Sequence, residues 1–267
     1  MAREKNTTVI FLGVTFVVSA LCYWVYFVVG ESAAPAAALL MFCPSLVALA
    51  LKLVYYRKER VLGFERSGVG FIMLAIFLPV FYLGVSYGIF RMIIPAPLTG
   101  WIAPDSILSL LLDLCFGIAL VMGEEIGWRG FLLPKMERLF GWGKAVVLGG
   151  LLWAVWHYPA IIAGVYEVST PLWFHLPMFT LEAVLLTAVM ALLRFGSKSL
   201  WPVILLHASH NYVNQMLGSL GGSSFDGYFA GEAGLLTVLF TLAIFLFLYK
   251  IKPLNLNTGS PAGDLKG

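Results

Sequence analysis

The sequence predicts an all-α fold, a polytopic membrane helical bundle of about eight transmembrane helices. Of its 267 residues, 60% are hydrophobic and only 12% are charged, with a mean hydropathy of +0.91. A soluble domain of this length carries about twice that share of charged residues. The apolar residues also fall into continuous runs of about 20, the length that crosses a bilayer as a helix.

Eight apolar runs are long enough to be spans, and they cover residues 8–29, 34–55, 69–90, 106–127, 145–163, 173–193, 200–217 and 234–250. The short charged start, Ala2-Arg3-Glu4-Lys5, leads into a full-length run, so we expect no cleavable signal peptide. Residues 1–253 then form one integral-membrane domain, and the polar tail at 254–267 is expected to be disordered.

The basic residues predict the orientation of the bundle. Cytoplasmic loops of membrane proteins are enriched in Lys and Arg. With the N-terminus inside, sixteen of the 17 Lys and Arg residues fall on cytoplasmic segments, and only Arg91 falls outside. We therefore predict that both termini are cytoplasmic, in the cell membrane if the protein is prokaryotic.

The three cysteines, Cys22, Cys43 and Cys115, lie inside apolar runs and have neither metal-ligand nor redox spacing. We expect all three to be buried as small apolar residues.

Few polar residues remain inside the predicted spans, and they are concentrated in part of the chain. Ionisable groups at membrane depth are costly and usually functional. The polar residues of interest include Asp113, Glu124 and Glu125 in the fourth run with Arg129 just after its end, Trp153 and His157 in the fifth, Glu182 in the sixth, and His207, His210 and Asn211 in the seventh.

The segment from Gly123 to Gly130 organises this set. If it is helical, each residue turns about 100°. Glu125 and Arg129 are then four apart on one face and can pair. Glu124 points elsewhere and has no local partner. We predict that Glu125 and Arg129 build the site and that Glu124 works in it.

The other spans repeat this spacing. Trp153 and His157 are four apart, as are His207 and Asn211. Three helices therefore each present a short polar face, and together they supply the groups that activate water and stabilise an oxyanion. Glu124 comes late in its run, whereas His157 comes slightly past the middle of its own. Of the site residues, His157 therefore fits a common depth in the membrane least well, unless its helix tilts.

At these residues the sequence resembles the CPBP family of intramembrane proteases, which includes type II CAAX prenyl endopeptidases and bacteriocin-processing enzymes. The family motif EExxxR matches Glu124, Glu125 and Arg129. Its second motif is an aromatic residue followed four later by His, which matches Trp153 and His157, although the usual aromatic is Phe.

The third family motif, HxxxN, matches His207 and Asn211, and the lead-in at 196–202 is similar too. The resemblance covers about residues 105–217. It implies an endopeptidase in which Glu124 and His157 activate the water. It implies also that His207 and Asn211 hold the oxyanion and that Glu125 and Arg129 support the site, with Trp153 beside them.

The resemblance admits zinc or another divalent metal held by His157, His207 and Glu124, since family members are often called metalloproteases. The zinc motif HExxH is absent from the sequence. A metal-free glutamate mechanism fits the same residues, and we expect activity to survive chelation.

Other interpretations of the polar residues stay open. Asp113 and Glu182 lie outside the motifs and are expected to pair across helices, His210 lines the cavity or bonds a neighbour, and Trp153 is expected to pack or anchor.

The expected partners are the bilayer and a membrane-embedded or lipidated peptide substrate, without nucleic acid. A proton-coupled carrier and a protease-like immunity scaffold are the alternative functions, because intramembrane Glu and His also serve proton relays.

Overall fold

The computed structural model describes residues 1–30, 34–95, 106–164, 168–220 and 226–251, and within these ranges it is helical without β-strands. The predicted tail at 254–267 lies outside the described residues. The α-helices are α1 Ala2–Val29, α2 Ala34–Tyr55, α3 Val69–Ile93, α4 Ile107–Glu125, α5 Leu133–Phe140, α6 Trp142–Ile162, α7 Leu172–Ser197, α8 Trp201–Ser219, α9 Asp226–Phe229 and α10 Leu235–Ile251.

Each of the eight predicted runs contains a long helix, which confirms the all-α membrane fold. Five helical stretches in the described part of the chain are both long and apolar enough to cross a membrane. Two further apolar helices, Leu39–Tyr55 and Leu235–Ile251, are shorter. The polar side chains of α8 lower its hydropathy, because His207, His210 and Asn211 all lie in it. The number of helices that cross the bilayer therefore stays a prediction.

One end of the bundle gathers segments that the charge pattern assigns to a single side. Arg3 forms an ion pair with Glu59 at 2.9 Å, and Arg138 pairs with Glu4 at 2.5 Å. The ammonium of Lys135 lies 3.8 Å from the centre of the Tyr56 ring, a close cation–π contact. The N-terminus, the α2–α3 loop and α5 therefore meet at one end of the bundle. This agrees with the predicted alternation of successive loops between the two sides of the membrane.

The opposite end holds Arg91, the one base that the prediction places there. Its guanidinium pairs with Asp226 of α9 at 2.6 Å. Ser169 lies so near Gly227 that any side chain at residue 227 would collide with it. These contacts establish which segments share an end of the bundle. Which end faces the cytoplasm remains a prediction from the positive-inside rule.

The fourth helix is longer than the sequence predicts. The predicted run ends at residue 127, whereas the helical stretch Ile107–Phe140 is continuous over 34 residues. Its middle is a seven-residue π-helix, Ile126–Leu132, in which every residue is buried. π-Helical turns are rare and are found mostly at functional sites. Arg129 lies in this π-helix, and Glu125 directly precedes it.

Two glycines bring this helix against α2. A Cβ on Gly123 would lie 2.7 Å from the Met41 carbonyl oxygen, and one on Gly127 would lie 2.5 Å from Pro44. Real side chains do not tolerate such distances, so both positions need glycine. Small residues allow close backbone approach in membrane bundles. The result is a rigid support on one side of the two glutamates.

Candidate active site

Glu125 lies at the centre of a buried charged cluster. Its Oε1 accepts a hydrogen bond from Arg129 Nη1 at 2.8 Å and another from His207 Nδ1 at 2.8 Å. Arg129 also donates to Thr187 Oγ1 at 2.9 Å. Glu125 is 0% exposed and Arg129 is 2% exposed. The predicted pair is present, and it extends from α4 to α7 and α8.

Glu124 points away from this pair, as predicted, and faces α6. Its Oε2 accepts a hydrogen bond from Trp153 Nε1 at 2.8 Å. The same indole ring lies under the Arg129 guanidinium, 4.1 Å from its centre. Trp153 was expected to support the site and to pack or anchor, and the donation of this hydrogen bond is a role that the prediction did not include. A phenylalanine, the usual residue in the motif, has no N–H to donate.

His157 is held in one tautomer by its own helix. Its Nδ1 lies 2.9 Å from the carbonyl oxygen of Trp153. A carbonyl oxygen can only accept, so Nδ1 carries the proton. In the neutral ring this leaves a lone pair on Nε2, which lies 3.8 Å from Glu124 Oε2. That separation is too long for a direct hydrogen bond, but one water molecule can bridge both atoms.

His207 and Asn211 occupy successive turns of α8. His207 is buried, and its ring meets Trp153 edge-on with 5.4 Å between the ring centres. Asn211 is half-buried, and within the described ranges its amide makes no hydrogen bond. His157, His207 and Glu124 thus meet around Trp153, and Asn211 lies one turn further along α8.

The predicted mismatch in depth is resolved by the length of the fourth helix. Because the helix continues to Phe140, Glu124 lies halfway along it and not near its end. His157 is then at a matching level without a special tilt of α6. The sequence misplaced Glu124 because the predicted run ends at residue 127, just before Arg129, although Arg129 is buried and the helix continues past it.

The site is closed toward the end of the bundle that carries the α2–α3 loop. The carbonyl oxygen of Gly63 accepts a hydrogen bond from the Leu200 backbone N–H at 2.6 Å. A Cβ on Gly130 would lie 3.1 Å from the Leu62 carbonyl oxygen. The loop therefore fills the space below the site. Two groups of the site, His157 and Asn211, are only partly buried.

A second group of buried polar side chains lies across α8 from the site. The Tyr82 hydroxyl and His210 Nδ1 are 2.5 Å apart, and His210 Nε2 lies 3.8 Å from Glu232. Glu182 accepts a hydrogen bond from Thr241 at 2.7 Å, so it bonds across helices as expected. His210 therefore bonds a neighbour and does not line the site.

Two other expectations fail. Asp113 is exposed, and it has neither an ion pair nor a hydrogen bond within the described part of the chain. Cys115 is exposed, whereas Cys22 and Cys43 are buried as expected. Both misplaced residues lie in the first half of α4, which is less covered by other helices than hydropathy implies.

Sequence reasoning also missed two supports of the site. Ser19 of α1 accepts a hydrogen bond from Trp156 Nε1 at 2.8 Å, next to His157. Thr187 of α7 holds Arg129. Single hydroxyl residues inside apolar runs are common, so neither carries a signal that one sequence can reveal.

The metal hypothesis finds limited support in this arrangement. Glu124 is already bonded to Trp153, and His207 Nδ1 is bonded to Glu125. Within the described ranges, no three His, Cys, Asp or Glu residues are grouped closely enough to hold one ion. The described side chains therefore do not form a metal-ligand set in this conformation.

Comparison with known proteins gives two findings. Residues 105–213 match the model of a family described as type II CAAX prenyl endopeptidase Rce1-like. A segment of 60 residues is 33% identical to CAAX prenyl protease 2 of Methanococcus maripaludis, covering 21% of this chain and 22% of that protein. The matched family region contains α4, α6 and α7, and it includes the three motifs.

Proposed function

We propose that this integral multi-pass membrane protein is an intramembrane endopeptidase, because residues 105–213 match the Rce1-like family model and contain the three motifs. The observation that supports this most directly is the convergence of Glu124 and His157 from different helices on one half-open site. A carboxylate and an imidazole placed to share a water are the parts of a general-base hydrolase.

In the proposed reaction, Glu124 Oε2 and His157 Nε2 bind the attacking water between them. Glu124 takes a proton from this water as its oxygen attacks the scissile carbonyl carbon. Glu124 then gives the proton to the leaving amine as the carbon–nitrogen bond breaks. His157 cannot turn to present its other nitrogen without losing its bond to the Trp153 carbonyl, so the orientation of its lone pair is fixed.

The oxyanion is proposed to be held by His207 and Asn211. With Nδ1 donating to Glu125, a doubly protonated His207 has a second N–H on Nε2 that can donate to the substrate. This charge state also balances the site, because Arg129 and His207 then offset Glu124 and Glu125. Buried charges are tolerated when they are paired in this way, and preformed donors at an oxyanion lower the barrier.

The proposed substrate is a membrane-associated protein, and a prenylated CAAX-type peptide is the first to test. The relative that shares the 60-residue segment is called a CAAX prenyl protease. A site buried inside a helical membrane bundle suits a substrate whose lipid or apolar segment remains in the bilayer. Leader peptides and signalling propeptides belong to the same chemical class and form the rest of the test panel.

A cleavage assay tests this function. The purified protein would be incubated with tagged prenylated and membrane-anchored peptides, and products would be identified by mass spectrometry. Glu124→Gln should abolish product formation, whereas Glu182→Gln, a matched change at a buried glutamate outside the site, should retain it. Equal turnover by Glu124→Gln on a cleaved peptide would overturn the mechanism. A carrier or scaffold would yield no product with any variant.

Metal dependence is tested in the same assay. We propose that the glutamate mechanism operates without a tightly bound metal, so activity should survive exhaustive chelation. Loss of activity that one divalent metal restores would show that Glu124, His157 and His207 rearrange to ligate it.

A further inference from the structure

The first half of α4 stands partly apart from the bundle. Every residue from Ile107 to Leu120 is exposed or half-buried, and burial begins only at Val121. An apolar helix suits contact with lipid, but this stretch also contains Asp113, whose carboxylate is exposed. A charged group inside a membrane helix normally faces a partner or a water-filled space. The position of Asp113 therefore needs an explanation.

Asp113 has no basic partner among the residues that the structure describes. It makes neither an ion pair nor a hydrogen bond within the described ranges. The segments between residues 31 and 225 that the structure leaves undescribed contain no Lys, Arg or His. An intramolecular ion pair with one of those loops is thus excluded by composition. The expected pairing across helices does not explain this residue.

Asp113 lies on the same face of α4 as Glu124. Eleven residues separate them, and eleven steps of about 100° complete three turns with only about 20° left over. Gly117 lies on this face between them, and a Cβ there would have nothing within 4 Å. The helix packs mainly against α2 and α8, while Glu124 points at Trp153 of α6. This face of α4 is therefore exposed at Asp113, half-buried at Gly117 and buried at Glu124.

The part of α8 that packs near this half of α4 is also polar. Glu125 meets His207 and Gly130 meets Leu200, so α4 and α8 are antiparallel. Continuing α8 beyond His207 in the direction of Asp113 leads to half-buried Asn211 and then exposed Gln215. Amide side chains at these positions suit a hydrated cleft that binds peptide groups, and they do not suit lipid.

We propose that Asp113 binds a positively charged side chain of the substrate and so selects peptides with Lys or Arg at a fixed distance from the cleaved bond. This inference rests on the proposed endopeptidase function. Along the helix, Asp113 is about 16 Å from Glu124 at 1.5 Å per residue. An extended peptide advances about 3.3 Å per residue, so the basic residue lies about five residues from the scissile bond.

The test is a scan of one charge along a cleaved peptide. A single Lys, or Gln as its neutral counterpart, would be moved through every position within eight residues of the cut on both sides. For the wild-type protein, the ratio of kcat/KM for the Lys peptide to that for the Gln peptide should peak near five residues, at about fivefold. The effect should lie in KM, because the contact is remote from the chemistry.

The variants make the test specific. Asp113→Asn should flatten the peak, Asp113→Glu should keep it, and Asp113→Lys should move the preference to a Glu peptide. Leu112→Asn introduces the same amide on another face of α4 and should keep the wild-type ratio. A peak that Asp113→Asn leaves unchanged, or no peak in a peptide that the wild type cleaves, would overturn the inference. If no peptide is cleaved in a Glu124-dependent way, the proposed function itself fails instead.

Discussion

The two histidines of α8, His207 and His210, are three residues apart, and both are buried, but their surroundings differ. His207 bonds a carboxylate that is already paired with Arg129. His210 bonds the Tyr82 phenol, and its Nε2 is a buried atom without a hydrogen bond to the described residues. Burial of a polar residue in a membrane span does not identify a reaction site. A reaction site is identified by an acid, a base and a paired charge that converge at one partly exposed position.

The largest expected difference between these regions is in turnover. His157→Gln should lower kcat by at least about 100-fold, since general-base assistance contributes that much or more. His210→Gln should change kcat by less than about threefold, because the His210 side chain faces α3 and not the site formed by Glu124 and His157. The measurement is steady-state cleavage of a verified peptide by variants that elute as folded monodisperse protein. Comparable losses in both variants would mean that the two polar groups act as one site.

The next comparison is between the two buried glutamates that the mechanism does not use as a base. Glu125→Gln should destabilise the protein by about 3–5 kcal/mol, because it leaves Arg129 buried without its counter-charge. Glu182→Gln should change stability by no more than about 1 kcal/mol, since its partner is a neutral hydroxyl that an amide also serves.

Thermal unfolding in detergent measures this second comparison. A large shift for Glu125→Gln with a small one for Glu182→Gln is expected. A larger loss of thermal stability in Glu182→Gln than in Glu125→Gln would contradict this expectation. It would mean that Glu182 stabilises the fold more than the pair of Glu125 with Arg129 does.

A smaller effect is expected at Trp153. Trp153→Phe keeps a ring beneath Arg129 but removes the N–H that bonds Glu124. We expect kcat to fall about three- to tenfold, because water replaces the lost donor in a half-open site. Trp142→Phe is the matched control, since that indole stacks on Phe245 and contacts none of the site residues. Unchanged activity in Trp153→Phe would assign the indole to packing alone.

The smallest effect is expected at Tyr82. Tyr82→Phe removes the hydroxyl that bonds His210. Interhelical hydrogen bonds in membranes contribute about 1 kcal/mol, so we expect a small decrease in thermal stability and wild-type kcat. A loss of turnover without loss of stability would show that the far side of α8 controls the site.

Much of the fold and of the site geometry was predictable because the relevant signals are local. Apolar runs locate the helices, and a spacing of four places Glu125 beside Arg129 and Trp153 beside His157. The partners that connect different helices were not predictable from one sequence. The bond between His207 and Glu125 and that between Trp153 and Glu124 both depend on how α4 packs against α6 and α8.

The first half of α4 shows a different reason for failure. Hydropathy describes composition and not coverage, so it predicted Cys115 to be buried and Asp113 to be paired. Within the described ranges, the neighbouring helices leave this stretch no more than half-buried, and both residues are exposed. The continuation of the same helix to Phe140 was missed for the opposite reason, since Arg129 and Lys135 are charged residues that are buried against other segments.

The π-helix between α4 and α5 also makes the protein sensitive to chain length. A π-helical turn holds about one residue more than an α-helical turn. Deleting a single residue between Ile126 and Leu132 would let the helix close into a regular α-helix, and everything beyond would rotate by about 100° relative to Glu124. Lys135 would then leave the Tyr56 ring and Arg138 would leave Glu4. Substitutions can be tolerated in this segment, but its length is fixed by contacts at both of its ends.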